Sequence, residues 1–521
     1  MLREHAARVD HEKEQPMLPI DSLYRGRQIN PDGIALEDDT TQLTYRELVA
    51  RVEALAAALQ ERLPEPQAKV GACGFNNLQH VIAILATHLA GHIWVAVNPR
   101  SGKAENTALM DLVEPDLMIA DDAARDAFDI GDTPFIVAGP DGRSHADDTV
   151  DGLIEAYRGK RPVRHLLDPN TDLQAIKFTG GSTGLPKAVM QPYRTGTTLI
   201  GTVLSVFGLN ANDIQAAAAP VSHAAFILML PIFATGGRNI VLPTPDPDRI
   251  LHAFEKRDVS TIFMPPTMIY KVMADPDIER RTFPNLRHLI YGAAPMPPEK
   301  VREAQAVFPH ALETLYGQTE ASSVCTTMTA AELEMDANNG SVGRATPLMR
   351  VEIKDPDGNI LPPGEAGEVV VRGGLTMTGY YKNPDATAEA FKDGWLHTGD
   401  GGLIDERGYL FLKDRLRDVI ISGGFNVYPT DVEGALVRHP DVYECVVFGA
   451  EDDHWGERVE AAVQLRDGAS ASADELIAHA KAELGSVKAP KTVHLVEDLP
   501  RSAVGKVLRR EVKERFASAS D

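Results

Sequence analysis

A glycine-rich segment that ends in a lysine contains residues of the types that could bind a reacting group. It follows residues 173–178 and contains Thr179, Gly180, Gly181, Ser182, Thr183, Gly184 and Lys187. Glycines let backbone N–H groups approach a phosphate closely, and the lysine adds a positive charge. The segment predicts a phosphate-binding loop, with a flexible turn as the alternative. It is not a loop of the GxxxxGK[ST] type, because Leu185 and Pro186 separate Gly184 from Lys187.

Four further motifs carry aromatic, carboxylate and basic residues. They are Tyr316-Gly317-Gln318-Thr319-Glu320, Trp395-Leu396-His397-Thr398-Gly399-Asp400, residues 414–420 with the sequence DRLRDVI, and residues 499–510 with the sequence LPRSAVGKVLRR. Taken singly, each has a simple structural interpretation: a helix N-terminus, a turn, an exposed charged linker and a basic helix start. Their combination needs a different explanation.

Together, these five motifs resemble the signatures of the adenylate-forming superfamily, which includes acyl-CoA synthetases, adenylation domains of nonribosomal peptide synthetases and firefly luciferase. The superfamily forms are T-[SG]-G-[ST]-T-G-x-P-K-[GA]-V, Y-G-x-T-E, W-x-x-T-G-D, G-R-x-x-D-x-I and L-P-[KR]-[ST]-x-x-G-K. They occur here in the superfamily's order, with Asp414 in place of the usual glycine. The resemblance covers nearly the whole chain.

This resemblance implies an ATP site with Mg²⁺. Tyr316 would stack on adenine, Asp400 and Arg415 would bind the ribose, and Glu320 would help to hold Mg²⁺. Lys506 would be the catalytic lysine of adenylation, acting with Thr319 and Glu320. Arg417 would be the hinge residue. The implied ATP-binding set is Thr179, Gly180, Gly181, Ser182, Thr183, Gly184, Lys187, Ala293, Ala294, Pro295, Tyr316, Gly317, Asp400 and Arg415.

The acid and CoA sites follow from three more similarities, which are Pro220-Val221-Ser222-His223, residues 291–296 and residues 422–429. The implied acyl pocket consists of His223, Ala224, Phe226, Phe263, Ala293, Gly317 and Ser322. Gly423 and Gly424 would line the CoA channel, where glycine lets the pantetheine arm pass close to the backbone. The pocket set contains no lysine or arginine, so a dicarboxylate is not expected. The set favours a medium- or long-chain fatty acid, or an aromatic acid.

The resemblance implies a reaction in two halves. A small carboxylic acid reacts with ATP to give acyl-AMP and pyrophosphate, and the acyl group then passes to CoA. The alternative is a stand-alone ligase that loads a carrier protein. We therefore expect an acid–CoA ligase of the AMP-forming type.

Alternating strand and helix patterns must position these motifs. Thr44-Tyr45-Arg46-Glu47 predicts a capping box that opens a helix. Strands are predicted at 70–73, 93–97, 239–242, 260–264 and 288–291, and helices at 78–90, 248–256, 267–273 and 299–307. This rhythm predicts parallel α/β layers. Residues 350–412 predict a small antiparallel, β-barrel-like unit. We expect an N-terminal AMP-binding adenylation domain over 1–416 and a smaller, mobile α+β C-terminal domain over 417–521.

Composition limits the partners. The 521-residue chain has 43% apolar and 24% charged residues and a net charge of −23, which disfavours nucleic acid as a partner. It contains no run of about 18 apolar residues, so no membrane span is expected. The N-terminus shows no signal peptide. Cys73, Cys325 and Cys445 lie too far apart to predict a disulfide framework. We expect a cytoplasmic enzyme and leave a homodimer open.

Overall fold

The computed structural model describes residues 16–129, 131–138, 148–179, 187–415, 418–422, 425–452, 455–501 and 507–517. Strands are numbered from β1 and helices from α1 in chain order. Four sheets organise these residues. Within the described ranges, no helix combines the length and the apolar character that crossing a membrane requires.

The first sheet has seven strands and carries both ends of the predicted phosphate loop. Its spatial order is β18-β8-β7-β4-β3-β5-β6. The strands are β3 (Lys69–Cys73), β4 (Ile93–Val97), β5 (Leu117–Asp121), β6 (Phe135–Ala138), β7 (Leu173–Thr179), β8 (Lys187–Pro192) and β18 (Gly379–Tyr380). The strands from β7 to β6 in this order run parallel, whereas β8 is antiparallel to β7 and to β18.

The second sheet has nine strands in the order β15-β14-β13-β12-β11-β9-β10-β1-β2. They are β1 (Ile34–Glu37), β2 (Gln42–Thr44), β9 (Ile214–Ala217), β10 (Arg238–Val241), β11 (Thr261–Met264), β12 (His288–Tyr291), β13 (Leu312–Tyr316), β14 (Thr326–Met328) and β15 (Arg344–Ala345). The six central strands are parallel. Their carboxyl ends therefore meet at one edge, where ligands bind in open α/β sheets.

Helices connect these strands as the sequence pattern predicts. Thr44 and Glu47 form the expected capping box, in which the Thr44 N–H donates to Glu47 Oε2 at 2.9 Å. The helices are α1 (Asp21–Ile29), α2 (Tyr45–Arg62), α3 (Leu78–Leu89), α4 (Lys103–Val113), α5 (Val150–Ala156), α6 (Tyr193–Phe207), α7 (Phe226–Thr235), α8 (Pro247–Lys256), α9 (Pro266–Met273), α10 (Pro298–Val307), α11 (Ala330–Leu333), α12 (Pro384–Ala390), α13 (Pro429–Val437), α14 (Ala473–Lys488) and α15 (Arg509–Ala517).

Two smaller antiparallel sheets complete the chain. The third contains β16 (Met349–Lys354), β17 (Gly367–Gly373), β19 (Phe391–Lys392), β20 (Trp395–Ile404) and β21 (Leu410–Arg415). The fourth contains β22 (Ile420–Ser422), β23 (Phe425–Val427), β24 (Val442–Asp452), β25 (Gly456–Leu465) and β26 (Thr492–Val496). Only β26 pairs in parallel within it. The predicted fold class is confirmed, whereas the division of the chain between residues 416 and 417 stays a prediction.

The main hydrophobic core lies between the two large sheets. It contains residues from both, with Trp94 on β4, Phe226 on α7 and Phe263 on β11 among them. A separate apolar cluster, including Val447 and Leu476, fills the fourth sheet and its helices. Cys73, Cys325 and Cys445 are free and buried.

Helix α3 buries two histidines in the main core, and burial determines their charge. The exposed fraction is 0% for His80 and 1% for His88. Burial lowers the pKa of His80 to about 4 and that of His88 to about 3. An unfolded chain binds these protons near pH 6.5, so the unfolded state holds more protons than the folded state below that pH.

The fold should therefore lose stability as the pH falls from about 7 towards 4. We expect His88→Gln to reduce the drop in Tm between pH 7.5 and pH 5 by about 2 °C, because one buried proton acceptor is removed. Thermal unfolding measured at both pH values tests this. His310→Gln is the control, since the His310 side chain is 84% exposed. An unchanged pH dependence in His88→Gln would contradict this account.

Candidate functional site

The predicted phosphate loop leaves and re-enters the first sheet at one point. Thr179 ends β7 and Lys187 begins β8, and the two residues are direct partners in the antiparallel register. Gly180, Gly181, Ser182, Thr183 and Gly184 lie outside the described residues. The residues on either side of this segment, Thr179 and Lys187, are therefore neighbours in the sheet.

Lys187 and Glu320 are linked through Tyr380. The Lys187 ammonium lies 4.8 Å from the centroid of the Tyr380 ring, and the Tyr380 hydroxyl donates to Glu320 Oε1 at 3.0 Å. Tyr380 reaches this position because β18 pairs with β8. This brings the loop lysine and the predicted Mg²⁺-binding carboxylate to one side of the site, as a polyphosphate with its cation requires.

Tyr316, at the carboxyl end of β13, opens a tight turn that presents Thr319 and Glu320. A Cβ on Gly317 would lie 2.4 Å from the Ser323 carbonyl carbon, so only glycine fits there. Ser322 and Ser323 have φ values of 41° and 67°, which non-glycine residues rarely adopt. Gln191 on β8 fixes the turn from the first sheet, since its Nε2 donates to the Thr319 carbonyl at 2.8 Å.

Asp400 is held by two donors from the second sheet. The Tyr316 hydroxyl and the Gln318 Nε2 each donate to Asp400 Oδ2 at 2.7 Å. Burial, and then the charge of Asp400, raise the pKa of Tyr316 well above its usual value, so the phenol stays a donor. Glu368 supports the same turn, because its Oε1 accepts from the Gly399 N–H at 3.0 Å. Tyr316 and Asp400, the residues predicted to bind adenine and ribose, are therefore in direct contact.

Ala293, Ala294 and Pro295 lie next to this pair. They follow the carboxyl end of β12, the parallel neighbour of β13. Ala293 and Pro295 are exposed, and Ala293 has a φ of 66°. The three residues form an open backbone edge beside Tyr316, which suits the predicted contact with a nucleotide.

Asn76 connects the two large sheets, and sequence reasoning missed it. It follows β3 and is buried, with its Nδ2 donating to the carbonyls of Ala219 at 2.9 Å and Leu242 at 3.1 Å. Its Oδ1 accepts from the Val221 N–H at 3.0 Å. Asn76 thereby fixes the segment that carries His223. A lone asparagine after a strand gives no sequence signal for this role.

The predicted acyl-pocket residues gather around the main core. Phe226, Phe263 and Ser322 are buried, and His223 and Ala224 are half-buried. The His223 Nδ1 lies 2.9 Å from the Ser222 hydroxyl oxygen. Burial, and then the nearby Lys177 charge, lower the pKa of His223 to about 4, so its imidazole is neutral at physiological pH. This favours a positioning role rather than proton transfer.

Two residues that the sequence did not assign to the pocket lie beside it. The Trp94 ring centroid is 5.4 Å from that of Phe226, and the Lys177 ammonium is 5.1 Å from the Trp94 ring. Burial lowers the pKa of Lys177 to about 8. The lysine nevertheless keeps some accessible surface. The Lys177 side chain is therefore partly shielded from solvent beside Trp94.

The remaining predicted site residues lie partly or wholly outside the described residues. Arg415 is the last residue of β21 and is paired with Asp400 in the strand register, but its side chain lies outside the described residues. Arg417, Gly423, Gly424 and Lys506 are also outside them. Arg501 and Val507, on either side of the Lys506 segment, pair as a β-bridge.

The donor set fits magnesium better than a protein-caged metal. In the part of the chain that the structure describes, no cluster of three or more His, Cys, Asp or Glu side chains could hold a metal ion. Mg²⁺ commonly binds through one or two carboxylates together with substrate phosphates and waters. Glu320 beside Lys187 provides such a carboxylate.

Comparison with protein families gives two matches. Residues 25–381 match the model of the AMP-binding enzyme, and residues 431–506 match the model of the AMP-binding enzyme C-terminal domain. The first match alone covers more than half of the chain.

Named relatives extend over nearly the whole chain. A feruloyl-CoA synthase of Amycolatopsis sp is 34% identical over 94% of this chain and 98% of its own length. A medium/long-chain-fatty-acid–CoA ligase of Mycobacterium tuberculosis is 31% identical over 91% of this chain and 86% of its own length. The crystal structure of ATP-bound MatB from Rhodopseudomonas palustris superposes with a TM-score of 0.88 at 29% identity, covering 97% of this chain and all of that one.

The contact between Tyr316 and Asp400 leads to a prediction about nucleotide binding. Tyr316→Phe keeps the aromatic ring but removes one donor from Asp400, so we expect the KM for ATP to rise about 10-fold with a smaller change in kcat. ATP-dependent pyrophosphate release measures both constants. Tyr409→Phe is the control, because that hydroxyl donates to Glu332 rather than to Asp400. An unchanged KM for ATP in Tyr316→Phe would show that Asp400 does not need this donor.

Proposed function

Because the chain belongs to the AMP-binding enzyme family, we propose that it is an acid–CoA ligase which activates a carboxylic acid with ATP and transfers the acyl group to CoA. The observation that carries the proposal is the convergence of sequence-distant groups. Lys187 and Glu320 meet through Tyr380, and Tyr316 and Gln318 meet Asp400.

In the first half-reaction, a carboxylate oxygen of the acid forms a bond with the α-phosphorus of ATP. The bond from that phosphorus to the bridging oxygen breaks, and pyrophosphate leaves with the electron pair. A carboxylate is a weak nucleophile, so positioning and charge neutralisation must supply the rate. Lys187 would neutralise the departing pyrophosphate, and Lys506 would neutralise the oxygens around the bond being made. Mg²⁺ held by Glu320 would add positive charge at the phosphates.

In the second half-reaction, the CoA sulfur attacks the acyl carbonyl and AMP departs with the bonding pair, while the thiol proton passes to solvent. We propose that residues 417–521 rotate about Arg417 as a separate domain from residues 1–416, which would withdraw Lys506. The thiol arm would then pass Gly423 and Gly424. No residue of the chain forms a covalent intermediate in this scheme.

The preferred acid is proposed from the pocket and the relatives together. Phe226 and Phe263 give it an apolar wall, which suits a medium- or long-chain fatty acid or an aromatic acid. The feruloyl-CoA synthase and the fatty-acid–CoA ligase among the relatives are named for acids of these two kinds. The high negative net charge disfavours nucleic acid as a partner and is compatible with an enzyme that acts on small molecules. A cytoplasmic location remains part of the proposal.

Pyrophosphate release over a panel of carboxylic acids, with and without CoA, tests this function. We expect acid-dependent release and an acyl-CoA product. A carrier protein offered in place of CoA serves as the competing acceptor, and faster acylation of the carrier would replace CoA in the proposal. The absence of acid-dependent release would overturn the proposal as a whole.

The role of Lys506 can be tested by measuring the two half-reactions separately. Lys506→Ala should reduce acyl-AMP formation by several orders of magnitude, because transition-state charge stabilisation is lost. It should still convert supplied acyl-AMP and CoA to acyl-CoA. Single-turnover assays of each half measure this. Equal loss in both halves would rule out the assignment.

A substitution at the proposed hinge residue, Arg417, should affect the two half-reactions in the opposite way. Arg417→Pro should spare acyl-AMP formation and slow thioester formation, because proline fixes one of the backbone dihedrals that a hinge must change. The same pair of assays provides the readout. Thioester formation at the wild-type rate would remove Arg417 as the hinge.

A further inference from the structure

Among the residues that the structure describes, Lys177 is a charged group beside the acyl pocket that the mechanism above does not use. It lies on β7 two residues before Thr179, with its ammonium 5.1 Å from the Trp94 ring. Phe226, the first residue of α7, packs against Trp94 at 5.4 Å between ring centroids. The lysine therefore reaches the wall that the acid's far end would contact.

The strand register fixes where Lys177 stands relative to the reacting end. Side chains alternate along a strand, so Lys177 and Thr179 share a face of β7, and their strand partners Val189 and Lys187 share it too. Two residues along a strand span roughly 7 Å. Lys177 thus lies about 7 Å along β7 from Thr179, which precedes the phosphate loop. Its side chain extends towards Trp94 on the neighbouring strand β4.

No acidic group neutralises this lysine among the residues the structure describes. It has no hydrogen bond or ion pair there, and the titrating groups whose pKa values its charge lowers are His88 and His223, which are themselves basic. Burial is the sole cause of its lowered pKa, with no contribution from a carboxylate. A desolvated charge without a counter-ion is costly, and an anionic or strongly accepting ligand would offset that cost.

We propose that the Lys177 ammonium binds a second oxygen at the far end of the acid, so that the enzyme selects acids carrying a distal carboxylate or ring oxygen over purely apolar ones. The inference rests on the proposed acid activation. The pocket residues identified by the motifs include no lysine or arginine, so the sequence predicted that a dicarboxylate would not bind. The position of Lys177 reverses that expectation. The lysine stands outside every motif and becomes a pocket residue only because β4 and β7 are adjacent.

Matched pairs of acids test this preference. Hexanedioate is compared with hexanoate, and 4-hydroxycinnamate with cinnamate, by kcat/KM for acid-dependent pyrophosphate release. We expect the wild-type enzyme to favour the oxygen-bearing member of at least one pair by about 10-fold or more, and the pair that responds identifies carboxylate or phenol as the ligand. In Lys177→Met, that ratio should fall about 10- to 100-fold, the range for losing a hydrogen bond to a charged group.

Lys354→Met is the matched control. Lys354 also lies on a strand with its ammonium over a tryptophan ring, 5.8 Å from that of Trp395, but it belongs to the third sheet. In Lys354→Met, the ratio of kcat/KM values within each acid pair should equal that of the wild type. Lys177→Gln provides a second variant should Lys177→Met fail to fold, and the wild-type ratios need no variant.

The outcomes separate this inference from the function it rests on. Pyrophosphate release with ratios that are the same in wild type and the Lys177 variants would overturn the role of Lys177 while leaving acid activation intact. A wild-type preference for the apolar member of both pairs would do the same. Pyrophosphate release that does not depend on added acid would overturn the proposed function and the inference with it.

Discussion

The hydrogen bonds of Asn76 are the contact on which the geometry of the site depends. One side chain after β3 of the first sheet binds backbone carbonyls of the second sheet at Ala219 and Leu242, and accepts the N–H of Val221. A buried amide that finds these partners fixes the separation of the two sheets, because each lost bond would leave a polar group unpaired. The phosphate loop belongs to one sheet and the Tyr316 turn to the other. Their approach, and the position of His223, follow from this junction.

The residues proposed to bind the nucleotide could be selected from the sequence because they sit in short motifs with fixed spacing. Tyr316 and Asp400 were assigned to one nucleotide through the family resemblance, and their hydroxyl–carboxylate contact agrees with that. The fold class was also predictable, since strands such as β4 and β12 begin and end at the residues that the apolar pattern predicts. Membership of the adenylate-forming family is confirmed by the matches over both parts of the chain.

The pocket half was not predictable in the same way. Lys177 and Trp94 beside the pocket, like Tyr380 beside Lys187, lie outside the signatures, and their contacts come from which strands are neighbours. Tyr380 reaches Glu320 because β18 adds to β8, although 60 residues of sequence separate the two side chains. Periodicity shows which residues face a core, but it does not show which strand lies alongside which. The proposed substrate preference depends on that second kind of information.

The pairing of β20 with β21 has a consequence for the fate of the acyl-adenylate. Asp400 and Arg415 are partners in that ladder, and the proposed pivot follows only two residues after Arg415. The nucleoside end of the intermediate would thus be tethered at the stationary base of the rotation. A large movement of the last hundred or so residues could then exchange the groups around the acyl carbonyl while the sugar stays in place. Such an arrangement retains a water-labile mixed anhydride between two chemical steps without releasing it.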